Sequence, residues 1–104
     1  MYPVEISQTA SSGAWSFNTQ SIASGICYEI YVKAATSGCT FDFTITDDKS
    51  NVIYDTAELG KTATDSLYDF TQIPMRGIYT LAVASASSAS DTFTGRLLIV
   101  EGGL

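Results

Sequence analysis

Oxygen-bearing side chains are concentrated in the stretch GCTFDFTITDDKSNVIYD, residues 38–55, and raise the question of a metal site. Calcium binds carboxylate, amide and backbone oxygens at such loops. The spacing here fits no EF-hand loop, which needs alternating ligands, a central glycine and a terminal glutamate. Because Asp and Asn also favour turns by bonding their own backbone, we prefer a turn and keep calcium as the weaker alternative. The calcium candidates are Asp47, Asp48, Asn51 and Asp55.

Composition excludes the commonest kinds of side-chain catalysis. The chain has no histidine, which removes the most frequent general base, the Ser-His-Asp triad and the usual zinc sites. Neither GxGxxG nor GxxxxGK[ST] occurs, so no phosphate-binding loop is predicted. Carboxylates alone can hydrolyse glycosides, and Asp42, Asp65 and Asp69 are the acids for that chemistry, but the sequence fixes no separation between them. We expect no enzymatic activity, no catalytic residue and no cofactor.

Aromatic side chains offer a different chemistry, because a ring face stacks on the apolar face of a sugar while nearby amides and carboxylates bind its hydroxyls. Trp15 with Asn18 and Gln20 forms a candidate glycan-contact set, and several tyrosines are further candidates for exposed rings. A single tryptophan in a domain of this size is more often a core residue. Both interpretations of Trp15 stay open at this point.

The two cysteines, Cys27 and Cys39, lie in consecutive predicted strands joined by a short ATSG connection. If these strands form a hairpin, the two cysteines are separated by about 20 Å along it, at roughly 3.3 Å per residue. That distance exceeds the roughly 7 Å limit on the Cα separation of a disulfide. We therefore expect free, half-buried thiols.

Length and charge restrict the class of protein and its partners. The chain has 104 residues, a hydrophobic content of 45% and a net charge of −6 with only five Lys and Arg. This composition predicts one folded domain, residues 1–104, and argues against nucleic acid or anionic membrane as a partner. No apolar run approaches the roughly 20 residues of a membrane span, and the N-terminus lacks the basic and apolar regions of a signal peptide.

The positions of apolar residues predict the fold. Segments of period two, separated by turn residues, indicate an all-β chain: a two-sheet antiparallel β-sandwich, jelly-roll or Ig-like, with about eight strands. In the predicted strand 26–34 the expected core face is Tyr28, Ile30, Val32 and Ala34. In the predicted strand 39–46 it is Cys39, Phe41, Phe43 and Ile45, which leaves a β-branched and acidic row facing outward.

Three stretches carry a resemblance to known domains. TFDFTITDDKSNVIYD is followed, after a spacer, by IPMRGIYTLAVASAS and a final TFTGRLLIV. This pattern is similar to that of small jelly-roll domains that include bacterial pre-peptidase C-terminal domains and phage virion accessory proteins. Pro74, Gly77, Tyr79, Leu81 and Val83 match its second half, with one extra residue between Pro74 and Gly77. The match covers about residues 26–100.

The resemblance implies a non-enzymatic virion structural protein of a bacteriophage, such as a capsid decoration (cement) or head-tail accessory subunit. The chain begins with Met, lacks a signal peptide and is rich in Ser, Thr and Ala, and we take it as a complete small protein assembled into virions in the host cytoplasm. Expected partners are other virion proteins such as the major capsid protein, in a homo-oligomer or lattice contact. The alternative is a carbohydrate-binding or adhesion module.

Contact surfaces follow from the virion interpretation. Residues 1–7 are a candidate extended arm that adds a strand to a neighbouring subunit. The apolar C-terminal strand offers further outward positions on the face opposite Leu97 and Ile99. The competing interpretation is that both termini complete their own sandwich. The candidate contact residues are Tyr2, Val4, Ile6, Leu98 and Val100.

Overall fold

The computed structural model describes residues 2–61 and 63–101, and of Tyr2 it describes the backbone only. Within these ranges the chain forms β-strands and no helix. The nine strands are β1 (Tyr2–Thr9), β2 (Trp15–Asn18), β3 (Ile22–Ala34), β4 (Thr40–Asp47), β5 (Val52–Asp55), β6 (Ala63–Thr64), β7 (Ser66–Gly77), β8 (Tyr79–Ala84) and β9 (Thr92–Glu101). No helix in the described part is long and apolar enough to cross a membrane.

The strands pack as two antiparallel sheets, as predicted. Sheet I has the order β1-β9-β3-β7 and sheet II the order β5-β4-β8-β2. The short strand β6 pairs with both β4 and β7 and joins the sheets at one corner. Apart from the β4–β5 hairpin and this corner, successive strands alternate between the sheets. That alternation is the jelly-roll arrangement, which decides between the two sandwich types left open by the sequence.

The core lies between the sheets and contains buried apolar residues from all nine strands. Apolar burial is the main favourable term in folding, and these side chains supply it. In β9 the inward residues Phe93, Leu97 and Ile99 are fully buried, and the strand lies between β1 and β3 in sheet I. The largest fully buried side chains are Phe43, Phe93, Ile30, Ile45, Met75, Leu81, Leu97, Ile99, Val32 and Val83.

A bulge in β3 changes the predicted pattern of burial. The pairing of β3 shifts between Cys27 and Glu29, so Tyr28 is an extra residue relative to β9, while over the same step β7 has one residue more than β3. An extra residue moves every later side chain to the other face of the sheet. Cys27 is therefore fully buried and Tyr28 is 37% exposed, whereas the sequence predicted the opposite. The rest of the predicted inward set, Ile30, Val32 and Ala34, is buried as expected.

The predicted β3–β4 hairpin is wrong. β3 pairs with β7 and β9 in sheet I, and β4 pairs with β5 and β8 in sheet II, so the short connection crosses between sheets. The cysteines are nevertheless free, as expected, but fully rather than half-buried. β7 continues through Pro74 to Gly77 without a turn.

The N-terminal segment is an edge strand of its own sheet. β1 pairs with β9 along its whole length, from Tyr2 opposite Ile99 to Thr9 opposite Thr92. Ile6 is buried in the core, and Val4 packs against it. Residues 2–7 therefore complete the sandwich of this chain and do not project as an arm; Met1 and the side chain of Tyr2 lie outside the described residues.

Candidate functional site

The aspartates between β4 and β5 shape a turn. The Asp47 carboxylate accepts hydrogen bonds from the backbone N–H of Asn51 at 2.8 Å and of Lys49 at 2.9 Å, and from the Asn51 side-chain amide at 3.1 Å. These donors, the Asn51 backbone N–H first, hold the pKa of Asp47 below its usual range. Asp55 accepts the N–H of Ala57 at 2.9 Å, while Asp48 is exposed. In the ranges 2–61 and 63–101, no three acidic or cysteine side chains are grouped so that they could hold a metal ion.

Trp15 is a core residue. It is only 7% exposed and packs against the rings of Phe17, Phe43 and Phe93, with centroid distances of 6.0, 6.4 and 5.9 Å. The glycan set centred on Trp15 is therefore not formed, because a buried ring cannot stack on a sugar. Asn18 and Gln20 are exposed, and the Asn18 side-chain oxygen accepts a hydrogen bond from the Thr80 hydroxyl at 2.7 Å.

Asn18 and Gln20 instead line a cleft of about 480 Å³ at the edge of the sandwich where β1 and β2 meet. Phe17, half-buried, supplies an aromatic wall, and Glu5 and Glu101 supply carboxylates at the rim. We refer to it as the β1–β2 cleft. It combines one ring with amide and carboxylate groups, which is the kind of lining that binds polyhydroxylated ligands.

The outer surface of sheet I carries most of the exposed aromatic side chains in the described chain. Tyr68 and Phe70 in β7 are 53% and 73% exposed, and Tyr31 in β3 is opposite Tyr68 in the register. Their rings contact edge to face, at 5.7 Å between Tyr31 and Tyr68 and 5.2 Å between Tyr68 and Phe70. We call this surface, centred on Tyr31, Tyr68 and Phe70, the aromatic face. Half-buried apolar residues extend it across the sheet: Ile26, Leu98 and Val100.

A charged group is embedded among these rings. Glu29 is 8% exposed, and its carboxylate accepts hydrogen bonds from Arg96 at 2.8 Å and from the Tyr68 hydroxyl at 3.1 Å. The hydrogen bond to Glu29 raises the pKa of Tyr68, because ionised Tyr68 would place a second negative charge beside the carboxylate. The three side chains bridge β3, β7 and β9 and fix the orientation of the Tyr68 ring.

A second polar group lies at the edge between β5 and β7. Asp69 accepts hydrogen bonds from Tyr54 at 2.8 Å and from Lys61 at 2.5 Å. Burial opposes the ionisation of Asp69, but these donors outweigh it and lower its pKa, while burial raises the pKa of Tyr54. These groups form part of the lining of a cleft of about 400 Å³, whose rim includes the exposed Leu59 and Phe70. The Tyr54–Asp69 hydrogen bond links β5 of sheet II to β7 of sheet I.

The two free thiols are inert in this fold. Burial raises the pKa of Cys27, whose thiol donates to the backbone carbonyl of Glu29 at 3.6 Å. A buried thiol with a raised pKa is a poor nucleophile. Cys39 is 2% exposed, and its thiol donates to the carbonyl of Thr40 at 3.8 Å.

The fold places some of the candidate contact residues on the outer surface and others in the core. Leu98 and Val100 lie on the outer surface of sheet I, as their alternation with Leu97 and Ile99 predicted. Val4 and Ile6 contribute to the core instead. Sequence reasoning missed Phe70 as a surface residue, although its alternation with Leu67 and Asp69 contained the signal: Leu67 is buried, and Tyr68 and Phe70 take the outward positions.

Comparison with known proteins identifies no family. The chain matches no protein-family description and no curated protein. Among solved structures, it matches a chain in the structure of infectious bursal disease virus Gx strain, with 10% identity and a TM-score of 0.40. The match covers 98% of this chain and 32% of that one, so this chain spans about a third of the length of its structural neighbour.

Proposed function

We propose that this chain is a non-enzymatic structural subunit of a bacteriophage particle, as a capsid decoration or head-tail accessory protein. The observation that carries the proposal is the aromatic face, where Tyr68 and Phe70 leave more than half of their surface open to water. Antiparallel sheets usually present a polar outer face, and an exposed apolar patch marks a surface that meets another molecule. The sequence resemblance to phage virion accessory proteins is the reason why we propose a phage particle as the assembly.

The proposed mechanism is mechanical and involves no chemical step. A subunit that buries aromatic side chains against its neighbours adds favourable free energy to each boundary, so that separating the subunits becomes harder. The rigid sandwich suits this role because the Glu29 network holds the Tyr68 ring in place before contact, which reduces the entropy lost on binding. The jelly-roll fold occurs in viral capsid domains as well as in lectins. The fold by itself therefore supports a structural role only by analogy.

Catalysis has no part in this proposal. Of the three acids considered for a carboxylate mechanism, Asp69 accepts hydrogen bonds from Tyr54 and Lys61, Asp65 accepts one from the backbone N–H of Gly38, and Asp42 is half-buried in β4. We propose the major capsid protein or another virion protein as the partner, with the particle as the location of the chain. The interaction would use protein surfaces, without nucleic acid or membrane.

Quantitative mass spectrometry of purified particles from the source culture tests the proposal. We expect the chain in a fixed ratio to the major capsid protein. A ratio near one indicates decoration of the capsid lattice, whereas a ratio of about one to a hundred indicates the neck or tail. Particles from which the chain is absent would contradict the proposal.

A carbohydrate-binding or adhesion module is the second candidate, and the β1–β2 cleft is the observation that favours it. Its lining of Phe17, Asn18 and Gln20 keeps two of the three predicted glycan contacts and replaces Trp15 with Phe17 as the aromatic wall. A glycan microarray with the purified chain tests this candidate. We expect any binding to be lost in Asn18→Ala and kept in Asn51→Ala, which alters an exposed amide in the β4–β5 turn. Binding that survives Asn18→Ala would exclude the cleft.

A further inference from the structure

We infer that the aromatic face is a self-association surface, on which a second copy of this chain packs face to face about a twofold axis. The inference rests on the proposed function for the role of this face as a contact surface, and it adds the identity of the partner. Three independent features of the described residues support it: exposed apolar area, the distribution of charge, and the protection of the strand edges.

Apolar side chains lie on the outer surface of three strands of sheet I. They are Phe70 and Tyr68 in β7, Tyr31 and Ile26 in β3, and Leu98 and Val100 in β9. Phe70 is the most exposed large apolar side chain in the described chain, at 73%. Exposed aromatic residues next to an arginine are typical of the anchors at protein interfaces, and Arg96, half-exposed, supplies that arginine here.

The distribution of charge favours a second copy of this chain as the molecule that covers the aromatic face. The chain has a net charge of −6, so two copies repel each other at most orientations. The outward charged residues of sheet I are two acids and three bases, which leaves +1 on this surface: Glu5, Glu29, Lys33, Arg76 and Arg96. Counted over all their residues, sheet II and its β4–β5 turn carry four acids and one base, which leaves −3: Asp42, Asp47, Asp48, Asp55 and Lys49. Counted in the same way, the strands of sheet I also include Asp69 and Glu101 and carry −1.

The aromatic face is therefore where two copies can meet without opposing large like charges. Lys33 in β3 and Glu5 in β1 are both exposed, and neither forms an ion pair with another described residue. A twofold axis brings opposite parts of one face onto each other, so unpaired charges of both signs on that face are self-complementary.

The strand edges argue for face-to-face contact in preference to a continuous sheet. The chain has two prolines, Pro3 in β1 and Pro74 in β7, and these strands are the two edges of sheet I. Proline cannot donate a backbone hydrogen bond, and its presence in an edge strand opposes the addition of another strand. With both edges protected in this way, the outer surface of the sheet remains as the place where a second copy can pack.

Sedimentation equilibrium of the purified full chain, over a concentration series up to about 500 µM, tests the inference. We expect a closed monomer–dimer equilibrium. Phe70→Ala should raise the dissociation constant at least tenfold, because the residue occurs twice in the interface. Ile78→Ala, a matched control that removes an exposed aliphatic side chain from the β7–β8 turn, should leave it unchanged. Circular dichroism verifies that both variants fold.

Salt dependence distinguishes the occupant of the face. Because each copy carries −6, raising NaCl from 50 to 500 mM screens repulsion, and the face-to-face dimer should tighten or stay constant. Head-to-tail stacking of the +1 face on the −3 face would weaken with salt and give species larger than a dimer, and this result would overturn the inference. A strict monomer would also overturn it; if that monomer is still present in particles at a fixed ratio, the proposed function stands and the face binds a different virion protein.

Discussion

The outer surfaces of the two sheets differ, although their inner surfaces are alike. Both sheets bury apolar residues between them, with Leu97 in sheet I and Leu81 in sheet II fully buried. Outside, sheet I presents the aromatic face, whereas sheet II presents a threonine face, defined by Thr44, Thr46 and Thr80 with small neighbours such as Ala82. Folding demands only the inner surfaces, and the exposed aromatic side chains on one outer surface are the feature from which we propose a contact role.

The largest expected effect comes from the backbone under the aromatic face. Gly95 in β9 has φ of 155°, and a Cβ there would lie 1.9 Å from the carbonyl oxygen of Tyr31. Gly95→Ala therefore forces β9 away from β3, and we expect a loss of about 4 kcal/mol or more, or failure to fold. Gly60→Ala is the matched control, because Gly60 has φ of 67° with open space around it, and should cost about 1 kcal/mol. Urea denaturation measures both, and equal losses would contradict the close approach.

The second prediction concerns the similarity of the two inner surfaces. Leu97→Ala and Leu81→Ala each remove a fully buried side chain, one from each sheet. We expect each to lower the free energy of unfolding by about 3 kcal/mol, through lost burial and the cavity left behind. The two losses, measured by urea denaturation, should agree within about 1 kcal/mol. If only one of the two substitutions lowered the free energy of unfolding, the two sheets would not share one core.

The third prediction separates the embedded charge of the aromatic face from an exposed charge on sheet II. Glu29→Gln weakens the bonds from Arg96 and Tyr68, and we expect a loss of about 1 to 2 kcal/mol. The pKa of Tyr68 should return toward its ordinary value, which spectrophotometric titration of tyrosinate measures. Asp42→Asn, on the outer surface of sheet II, should change the free energy of unfolding by less than about 0.5 kcal/mol and leave the tyrosine titration unchanged. An unchanged titration in Glu29→Gln would contradict the assigned bond.

The smallest effect, a gradual one, is expected from pH. Asp47, Asp69 and Asp91 have lowered pKa values; in Asp91, burial is outweighed by backbone N–H donors from Thr36 and Thr92. A lowered pKa in the folded state gives stability that is present above the unfolded value of about 3.9 and is lost as pH falls through the folded values. The raised pKa values of Cys27 and Tyr54 give stability that is lost as pH rises above the unfolded values, about 8.5 for the thiol and about 10 for the phenol. The urea midpoint should be level between these limits, and a midpoint that stays constant down to pH 3 would contradict the assignments.

The alternation of residues was sufficient to predict the sandwich, and it placed several strands well. The predicted strand 26–34 lies within β3, and the predicted strand 39–46 differs from β4 by one residue at each end. In β4 every predicted inward residue is buried. Period two is a local property of a chain with one buried face per strand, so the inner surfaces can be inferred without knowledge of the strand order.

Pairing between distant strands was not predictable in the same way. The β3 bulge exposes Tyr28 because β9 has no residue opposite it and the register with β7 shifts at the same point, and nothing local to β3 specifies that. The β3–β4 connection is short enough for a hairpin, yet it crosses between sheets because each strand finds other partners. Trp15 is buried because Phe43 and Phe93, far away in sequence, surround it. The aromatic face likewise joins residues of β3 and β7, and only tertiary structure brings them together.

Hydroxyl-radical footprinting of purified particles, compared with the free chain diluted until it is monomeric, tests the central claim most directly. The account predicts that the oxidation of Tyr68 and Phe70 falls severalfold in particles, while Leu59 and Ile78, which are exposed outside the aromatic face, keep their reactivity. If Tyr68 and Phe70 react equally in the two samples, the aromatic face is not the contact surface, and the account is contradicted.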